Sequence, residues 1–374
     1  MTVVAVVALL AWAYLLFGHA RFWQSGPVLS AASPMVPIAL LPAVDVVVPA
    51  RDEAAGIGAA LRSLLAQDYA GPLRVIVVDD GSTDGTGALA RAIADPRLLV
   101  LHGQARPPGW SGKLWAVAQG VDRTDADLIL LTDADIVHDP AHVATLAAKA
   151  ERDGLDLVSE MVQLRCTSWA ERALVPAFVF FFQLLYPFAA VNDPARATAA
   201  AAGGTMLIRR RALDRIGGIA AVRGALIDDV ALAAAVKRGG RIWISHSSLA
   251  RSVRPYPSAA DVWRMVARTA YVQLRFSPWI LLGTIAGLGL VWLAPPGLAL
   301  FGHGWARALG ALAWAGSAAS FLPTLRRFRL SPVRAAMLPL IACFYMAATV
   351  GSAIDHHRGR GVVWKRRAYG SAGA

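Results

Sequence analysis

Cysteine is almost missing from this chain: among 374 residues there are two, Cys166 and Cys343, in different regions. Two isolated thiols exclude both a disulfide framework and a thiolate metal site. Charge is scarce as well, at 17% of residues, and the acids are in deficit: 25 Asp and Glu stand against 37 Lys and Arg, a formal net charge of +12. What the basic excess lacks is a module of stacking aromatics interleaved with bases, so nucleic acid is not expected as a partner. Its late arginines sit beside apolar stretches instead, Arg326, Arg327, Arg329 and Arg334 in one loop and Arg358, Arg360, Lys365, Arg366 and Arg367 in the tail. Basic clusters in those places read as cytoplasmic markers and as contacts to an anionic lipid bilayer.

What the chain has in abundance is apolar residues, 56% of the total, which is unusual for a soluble protein. Residues 3 to 17 carry no charge, and three more apolar stretches follow late, Trp279 to Ala294, Leu309 to Pro323 and Ala335 to Ile354. A spanning helix needs about 20 mostly apolar residues. The first stretch lacks the basic start of a cleaved signal peptide, and Arg21 follows it, so residues 1–23 are expected to be an uncleaved anchor with the next domain in the cytoplasm. Residues 24–43, with Pro27, Pro34, Pro37 and Pro42, read as a juxtamembrane linker. Residues 276–357 are expected to hold the C-terminal transmembrane or interfacial helices, and 358–374 a basic cytoplasmic tail. Three late spans would leave that tail outside, so the stretch around Pro295-Pro296 is expected to be a re-entrant or interfacial element.

Between these lies a domain, residues 44–275, in which aliphatic runs alternate with helical patterns. Val44 to Val48, Leu73 to Val78, Leu98 to Leu101, Leu128 to Leu131 and Leu155 to Met161 read as strands, and Ile57 to Leu65 and residues 86 to 94 as helices. The alternation predicts an α/β, Rossmann-like, mostly parallel sheet whose ligands bind beyond the carboxyl ends of the strands. Acids collect at those ends: Glu53, Asp79, Asp80, Asp133 and Asp135. If the strand at 128 runs on, Asp133 and Asp135 point the same way. Two hard oxygen ligands at such a place suit a Mg2+ or Mn2+ ion bridging a diphosphate. The plain alternatives are a polar turn for the Asp-x-Asp and a helix N-cap for a lone Asp79 or Asp80. Gly112-Lys113 opens a helix, where amide groups favour anions. It is not a P-loop, since Arg106 stands where the first glycine belongs and Leu114 where the hydroxyl belongs. A run from Ala173 to Val191, broken by Pro176 and Pro187, fits no soluble version of such a domain. The insert 173–191 is expected to be an interfacial helix or hairpin that receives a lipid, its alternative being a buried core helix.

Four segments in order, Val46-Val-Val-Pro-Ala-Arg-Asp-Glu53, Val77-Val-Asp-Asp-Gly-Ser-Thr-Asp-Gly-Thr86, Gly112-Lys113-Leu-Trp-Ala116 and Asp133-Ala-Asp135, resemble the motifs of family 2 glycosyltransferases of the GT-A fold. The resemblance implies that Pro49, Arg51, Glu53 and Asp79 or Asp80 border the base and ribose of a nucleotide-sugar donor. It implies that Lys113 and Asp133 lie near the diphosphate, and that Asp133 and Asp135 hold the metal. Gly203-Gly204-Thr205 looks like the family's acceptor-lining segment. Ile227-Asp-Asp-Val-Ala-Leu232 looks like its Glu-Asp-x-x-Leu motif, with Asp228 in place of Glu and Asp229 at the position of the base for an inverting transfer. Val272-Gln-Leu-Arg-Phe276 matches the Gln-x-x-Arg-Trp motif of membrane members only at Arg275, which argues against a processive polysaccharide synthase.

The order of all these features, with the apolar insert and the multi-helix tail, is most similar to the hopene-associated glycosyltransferases. That likeness implies a metal-dependent, multi-pass enzyme of the cytoplasmic membrane that moves a sugar to a hydroxyl of a membrane lipid of hopanoid type. Transfer to polyprenyl phosphate and a non-catalytic scaffold in lipid synthesis are the alternatives.

Overall fold

The aliphatic runs form the strands expected of them in a computed structural model that describes residues 1–31, 41–359, 363–364 and 367–368. Pro34 and Pro37 of the linker, and Arg360, Lys365, Arg366 and Tyr369 of the basic tail, lie outside the described residues. The chain divides into two compact units. One is a sheet unit, Pro27–Arg165 with Ala190–Pro255 and Trp364–Ala374, and the other a helical unit, Met1–Gly26 with Cys166–Ala189 and Tyr256–Val363.

The sheet unit holds β1 (Val28–Leu29), β2 (Val44–Ala50), β3 (Leu73–Asp79), β4 (Leu98–His102), β5 (Leu128–Thr132), β6 (Ile136–His138), β7 (Leu157–Gln163), β8 (Thr205–Arg209) and β9 (Ile242–Ser252). Their order is β1-β9-β7-β8-β5-β2-β3-β4, with β6 beside β9. The strands β5, β2, β3 and β4 run parallel. The strand β8 is antiparallel to both of its neighbours, and β7 and β9 are parallel again. All seven residues of β2 and all five of β5 are buried. That is why these strands read as largely apolar runs, β2 being broken by the buried Asp45, since helices cover both faces of a parallel sheet.

The helix Ile57–Leu65 spans the residues expected, whereas the one expected over 86 to 94 stops at Arg91. The long strand β9 was not legible, because its middle, Ser245-His246-Ser247, is polar yet buried. The helix Gly112–Val121 lies against β2 and β3 through Gly120. A Cβ there would overlap Val47 and come within 3.2 Å of Val78.

Among the described residues of the helical unit, three helical runs are long and apolar enough to cross a membrane: Pro278–Phe301, Gly304–Arg327 and Pro332–His357. A shorter one spans Thr2–Gly18. The first of the three contains a π turn, Gly289–Leu293, just before Pro295 and Pro296, and is one helical run where the sequence suggested a re-entrant or interfacial element. Pro295 has no N–H for the carbonyl of Val291 four residues back. Trp12 supplies the missing donor, its indole Nε1 lying 2.8 Å from that carbonyl. Trp12 also meets Trp292 edge-on, with centroids 4.8 Å apart, and Phe180 meets Phe321 at 5.2 Å.

Phe180 belongs to the helix Trp169–Leu185, started by a capping box of Ser168 and Glu171. Most of the insert 173–191 therefore packs among the long helices, with Leu174, Ala177 and Phe180 buried in their shared core. The helix Ala259–Gln273 contributes Val262 and Val266 to the same core. Residues 166–189 and 256–275 thus group with the helical unit, where the sequence boundaries 44–275 put them with the sheet.

Substituting Gly120 by Val inserts a branched side chain into this close approach. Overpacking of this kind costs about 1–3 kcal/mol, so the unfolding midpoint of Gly120→Val should drop clearly in detergent. An unchanged midpoint would show that the helix Gly112–Val121 does not pack on Val47 as described.

Candidate active site

The ends of β2 and β5 open on a cleft lined by Pro49, Lys113, Leu114, Thr132, Asp133, Gly203, Met206 and Asp228. Pro49 is tolerated in a central strand because β5 pairs with β2 only as far as Val47, opposite Leu131. Ser111 caps the helix Gly112–Val121, accepting the amide of Leu114 at 3.3 Å, and so delivers Lys113 in its first turn.

The Lys113 ammonium lies 3.0 Å from Asp133 Oδ1 and 3.2 Å from Asp228 Oδ2. Burial works to lower the pKa of Lys113, but Asp133, Asp228 and Asp229 outweigh it and hold the pKa above the ordinary value. Asp228 and Asp229 begin the helix Asp228–Lys237, whose dipole favours negative charge there. Asp229 Oδ2 accepts the amide of Gly203 at 2.8 Å, and Oδ1 accepts that of Val230 at 2.8 Å. Gly203 lies close under both groups: a Cβ there would stand 3.2 Å from Asp229 Oδ2 and 3.4 Å from Lys113 Nζ, so a side chain would press on both. Burial first, then the charge of Asp228, pushes the Asp229 carboxyl up to about 6 despite Lys113 and the two amides. Asp133 is raised as well, by burial and by Asp135, against the pull of Lys113.

Asp133 and Asp135 are not two apart on a strand, as the sequence suggested. The strand β5 ends at Thr132 and a turn carries the chain into β6. The turn sends the two carboxylates to different partners. Asp135 Oδ2 accepts from Arg254 Nε at 2.8 Å and from Ser252 Oγ at 3.1 Å. Arg254 continues to Glu53 Oε1 at 2.5 Å, so one guanidinium joins two of the expected site acids. Nothing in the sequence marked Arg254, which sits between Val253 and Pro255 just after a strand that was itself not anticipated.

On the other side of β2, Arg51 bonds the carbonyl of Asp80 and lies 3.4 Å from its Oδ2. Asp79 Oδ1 accepts the amide of Ser82 at 3.0 Å, a turn role. The loops after β2 and β3 are laced together. Thr83 N bonds Asp52 Oδ1 at 2.8 Å, Glu53 N bonds Thr86 Oγ1 at 2.8 Å, and Ala54 N bonds Asp84 Oδ2 at 2.9 Å. Asp52 is held at φ 49°, a left-handed conformation that a short polar side chain tolerates best.

Of the expected acceptor residues, Gly203 faces Asp229 and Lys113, and the carbonyl of Gly204 accepts the Thr132 hydroxyl at 2.8 Å. Thr205 is a correction: it lies inside β8 opposite Thr132 with its side chain fully buried, so it does not line an open surface. Arg275 belongs to the helical unit, exposed and at φ 53° just beyond the helix Ala259–Gln273.

Three carboxylates, Asp133, Asp228 and Asp229, face one ammonium, an excess of negative charge that suits a cation. Among the described residues no three His, Cys, Asp or Glu are placed to hold an ion by themselves. Asp133, 36% exposed, carries the hard oxygen donors that suit an ion completing its shell with phosphate oxygens and water, whereas Asp135 already holds Arg254 and Ser252.

Residues 45–217 match the family model described as "Glycosyl transferase family 2". An N-acetylglucosaminyltransferase of Azorhizobium caulinodans is 35% identical over 141 residues, 36% of this chain and 34% of that protein. A 4,4'-diaponeurosporenoate glycosyltransferase of Staphylococcus aureus is 36% identical over 94 residues, 25% of this chain and 24% of its own. The chain thus spans about a third or less of the length of these two curated relatives. Among solved structures, a mannosyltransferase from Pyrobaculum calidifontis in complex with GDP-Man and Mn2+ covers 95% of this chain and 99% of its own. It has a TM-score of 0.57 at 21% identity and shares the fold.

Infrared titration of wild type against Asp229→Asn should reveal a carboxyl group titrating at about 6. Lys113 favours the ionised form of Asp229, so in Lys113→Met that titration should move to higher pH. A difference band titrating near 4, the ordinary carboxylate range, would refute the crowding of Asp229 described here.

Proposed function

We propose, from the premise that residues 45–217 are a family 2 glycosyltransferase domain on a GT-A sheet, that the protein is an inverting, metal-dependent transferase acting at a membrane. It moves a sugar from a nucleotide-sugar donor to a hydroxyl of a membrane lipid of hopanoid type. The observation that carries this reading is Asp229, pushed up to about 6 and aimed by the Gly203 amide, beside a lysine that already spans two other acids.

A pKa near neutrality suits a general base, which must be ionised to accept a proton yet basic enough to hold it. Asp229 takes the proton of the acceptor hydroxyl as its oxygen bonds to the anomeric carbon. The bond from that carbon to the diphosphate oxygen breaks on the opposite face. Lys113 stands where a positive charge stabilises the departing diphosphate. Asp133 and Asp135 are the residues that would hold Mg2+ or Mn2+, and when bound such an ion neutralises charge building on the leaving group. Glu53, Asp79, Asp80, Arg51 and Pro49 border the base and ribose of the donor. Gly203 and Gly204 receive the acceptor.

Several facts support a lipid acceptor in the cytoplasmic membrane. The helical unit holds three runs able to cross a bilayer, a basic cluster lies between the second and third, and one relative is named for a diaponeurosporenoate acceptor. With the anchor and loops oriented by their arginines, the sheet unit faces the cytoplasm.

The test is a donor screen on purified protein with a bacterial membrane lipid extract, reading glycosylated lipid by mass spectrometry. Chelation should abolish product and added Mn2+ or Mg2+ restore it. Asp229→Asn should lower kcat by roughly 10²- to 10⁴-fold, the contribution of a general base. Full turnover by Asp229→Asn would mean an acceptor that arrives as an anion, such as polyprenyl phosphate. Absence of both donor and Mn2+ binding by calorimetry would leave only a scaffold.

A further inference from the structure

Under the cleft, the sheet unit contains a buried polar chain that the chemistry above leaves unused. Thr132 Oγ1 lies 3.1 Å from His138 Nε2, His138 Nδ1 lies 2.8 Å from His142 Nδ1, and His142 Nε2 lies 2.6 Å from Glu160 Oε2. None of the four residues is more than 3% exposed. Thr132 Oγ1 is also 2.8 Å from the carbonyl of Gly204. Ser159, next to Glu160, accepts the amide of Ala202 at 2.8 Å and lies 3.1 Å from the carbonyls of Ala202 and Thr205. The stretch Ala202–Thr205 is thereby held from both sides. It is this stretch whose Gly203 amide bonds Asp229.

The protons in the chain can be placed by counting. A hydroxyl has one hydrogen, and two oxygens at hydrogen-bond distance need it between them, so Thr132 donates to the Gly204 carbonyl. The contact with His138 must then run the other way, from Nε2–H to the Thr132 oxygen. Burial and the neighbouring His142 keep His138 uncharged. Its Nδ1 is therefore bare and accepts Nδ1–H of His142. One proton is left between His142 Nε2 and Glu160 Oε2, which makes that pair neutral overall, as a buried pair should be. From His142 onward every hydrogen bond points toward the cleft, His142 to His138, His138 to Thr132 and Thr132 to the Gly204 carbonyl, and none of these three can be reversed without leaving two oxygens facing each other at Gly204.

We propose that Glu160, His142, His138 and Thr132 are positioning residues for the transfer reaction. They form a one-way hydrogen-bond chain that fixes the Gly204 carbonyl and, through the adjoining peptide, the amide that aims Asp229. The proposal rests on the reading of Asp229 as the base. A chain of this kind acts on geometry at the reacting hydroxyl and leaves the grip on the donor nucleotide alone.

Two substitutions break the chain at opposite ends, Thr132→Val and Glu160→Leu, and two preserve its direction. Thr132→Ser keeps the hydroxyl. Glu160→Gln offers an amide N–H to His142 Nε2, which then accepts while Nδ1–H still donates to His138. The breaking variants should lose roughly 10- to 100-fold in kcat, as small misplacements of reacting groups do, with donor KM within about twofold. Deuterium uptake in residues 200–206 should accelerate in both. The conservative variants should recover kcat and protection together. Unchanged uptake in Thr132→Val, or a Glu160→Gln as impaired as Glu160→Leu, overturns the proposal. Should Glu160→Leu fail to fold, the Thr132→Val and Thr132→Ser pair decides alone. Asp229→Asn measured in parallel separates the two readings: full turnover removes the base, while the exchange data still report whether the chain holds the loop.

Discussion

The site is built on a lysine that is outnumbered. Lys113 reaches the cleft from the first turn of a helix, an end where a cation is disfavoured, and it stays charged because Asp133 and Asp228 close on it and Asp229 stands behind. The acids come from two elements: the end of β5 for Asp133, and the start of the helix Asp228–Lys237 for the other two. The ammonium thus ties together segments that lie far apart in the chain. Its positive charge offsets only part of the negative charge gathered there. What remains raises Asp229 and Asp133 and leaves the cleft receptive to a cation.

A second cation, the Arg254 guanidinium, repeats the arrangement to one side. Arg254 joins Glu53 to Asp135, so the acids expected to serve the nucleotide and those expected to serve the metal are linked by one side chain. These two cations keep the surrounding carboxylates close to one another. A divalent ion and a diphosphate would enter as a nearly balanced pair and compete with contacts already made. Arg254 and Lys113 are the side chains most directly placed to respond to them.

Much of this was readable beforehand, for physical reasons that differ by element. The strands β2, β3 and β5 were legible because burial on both faces demands unbroken aliphatic runs, and Val44 to Ala50 is close to such a run. Gly112-Lys113 marked the start of its helix. Where polar residues are buried, the pattern misleads. Ser245, His246 and Ser247 look like a loop and form the middle of β9. His138, His142 and Glu160 sit at spacings of 4 and 18 residues, and no sequence rule joins them until the sheet does. The insert around Phe180 was visible as an anomaly, but its apolar face could not announce its neighbours, since a lipid surface and a helical core ask for the same side chains. Thr205 was misjudged because adjacency to two glycines says nothing of which way a β side chain turns.

The interlaced loops after β2 and β3 carry one more implication. Asp52 serves Thr83, Thr86 serves Glu53, and Asp84 serves Ala54, so each loop completes the turn of the other before any nucleotide arrives. If these loops hold the donor as proposed, little ordering is left for it to impose, and the speed of its capture should follow encounter in solution more than rearrangement of the pocket. Because the donors at 53, 54 and 83 are main-chain amides, change of the side chain at those positions leaves the lacing intact, and it is the acceptors Asp52, Asp84 and Thr86 whose loss would unpick it.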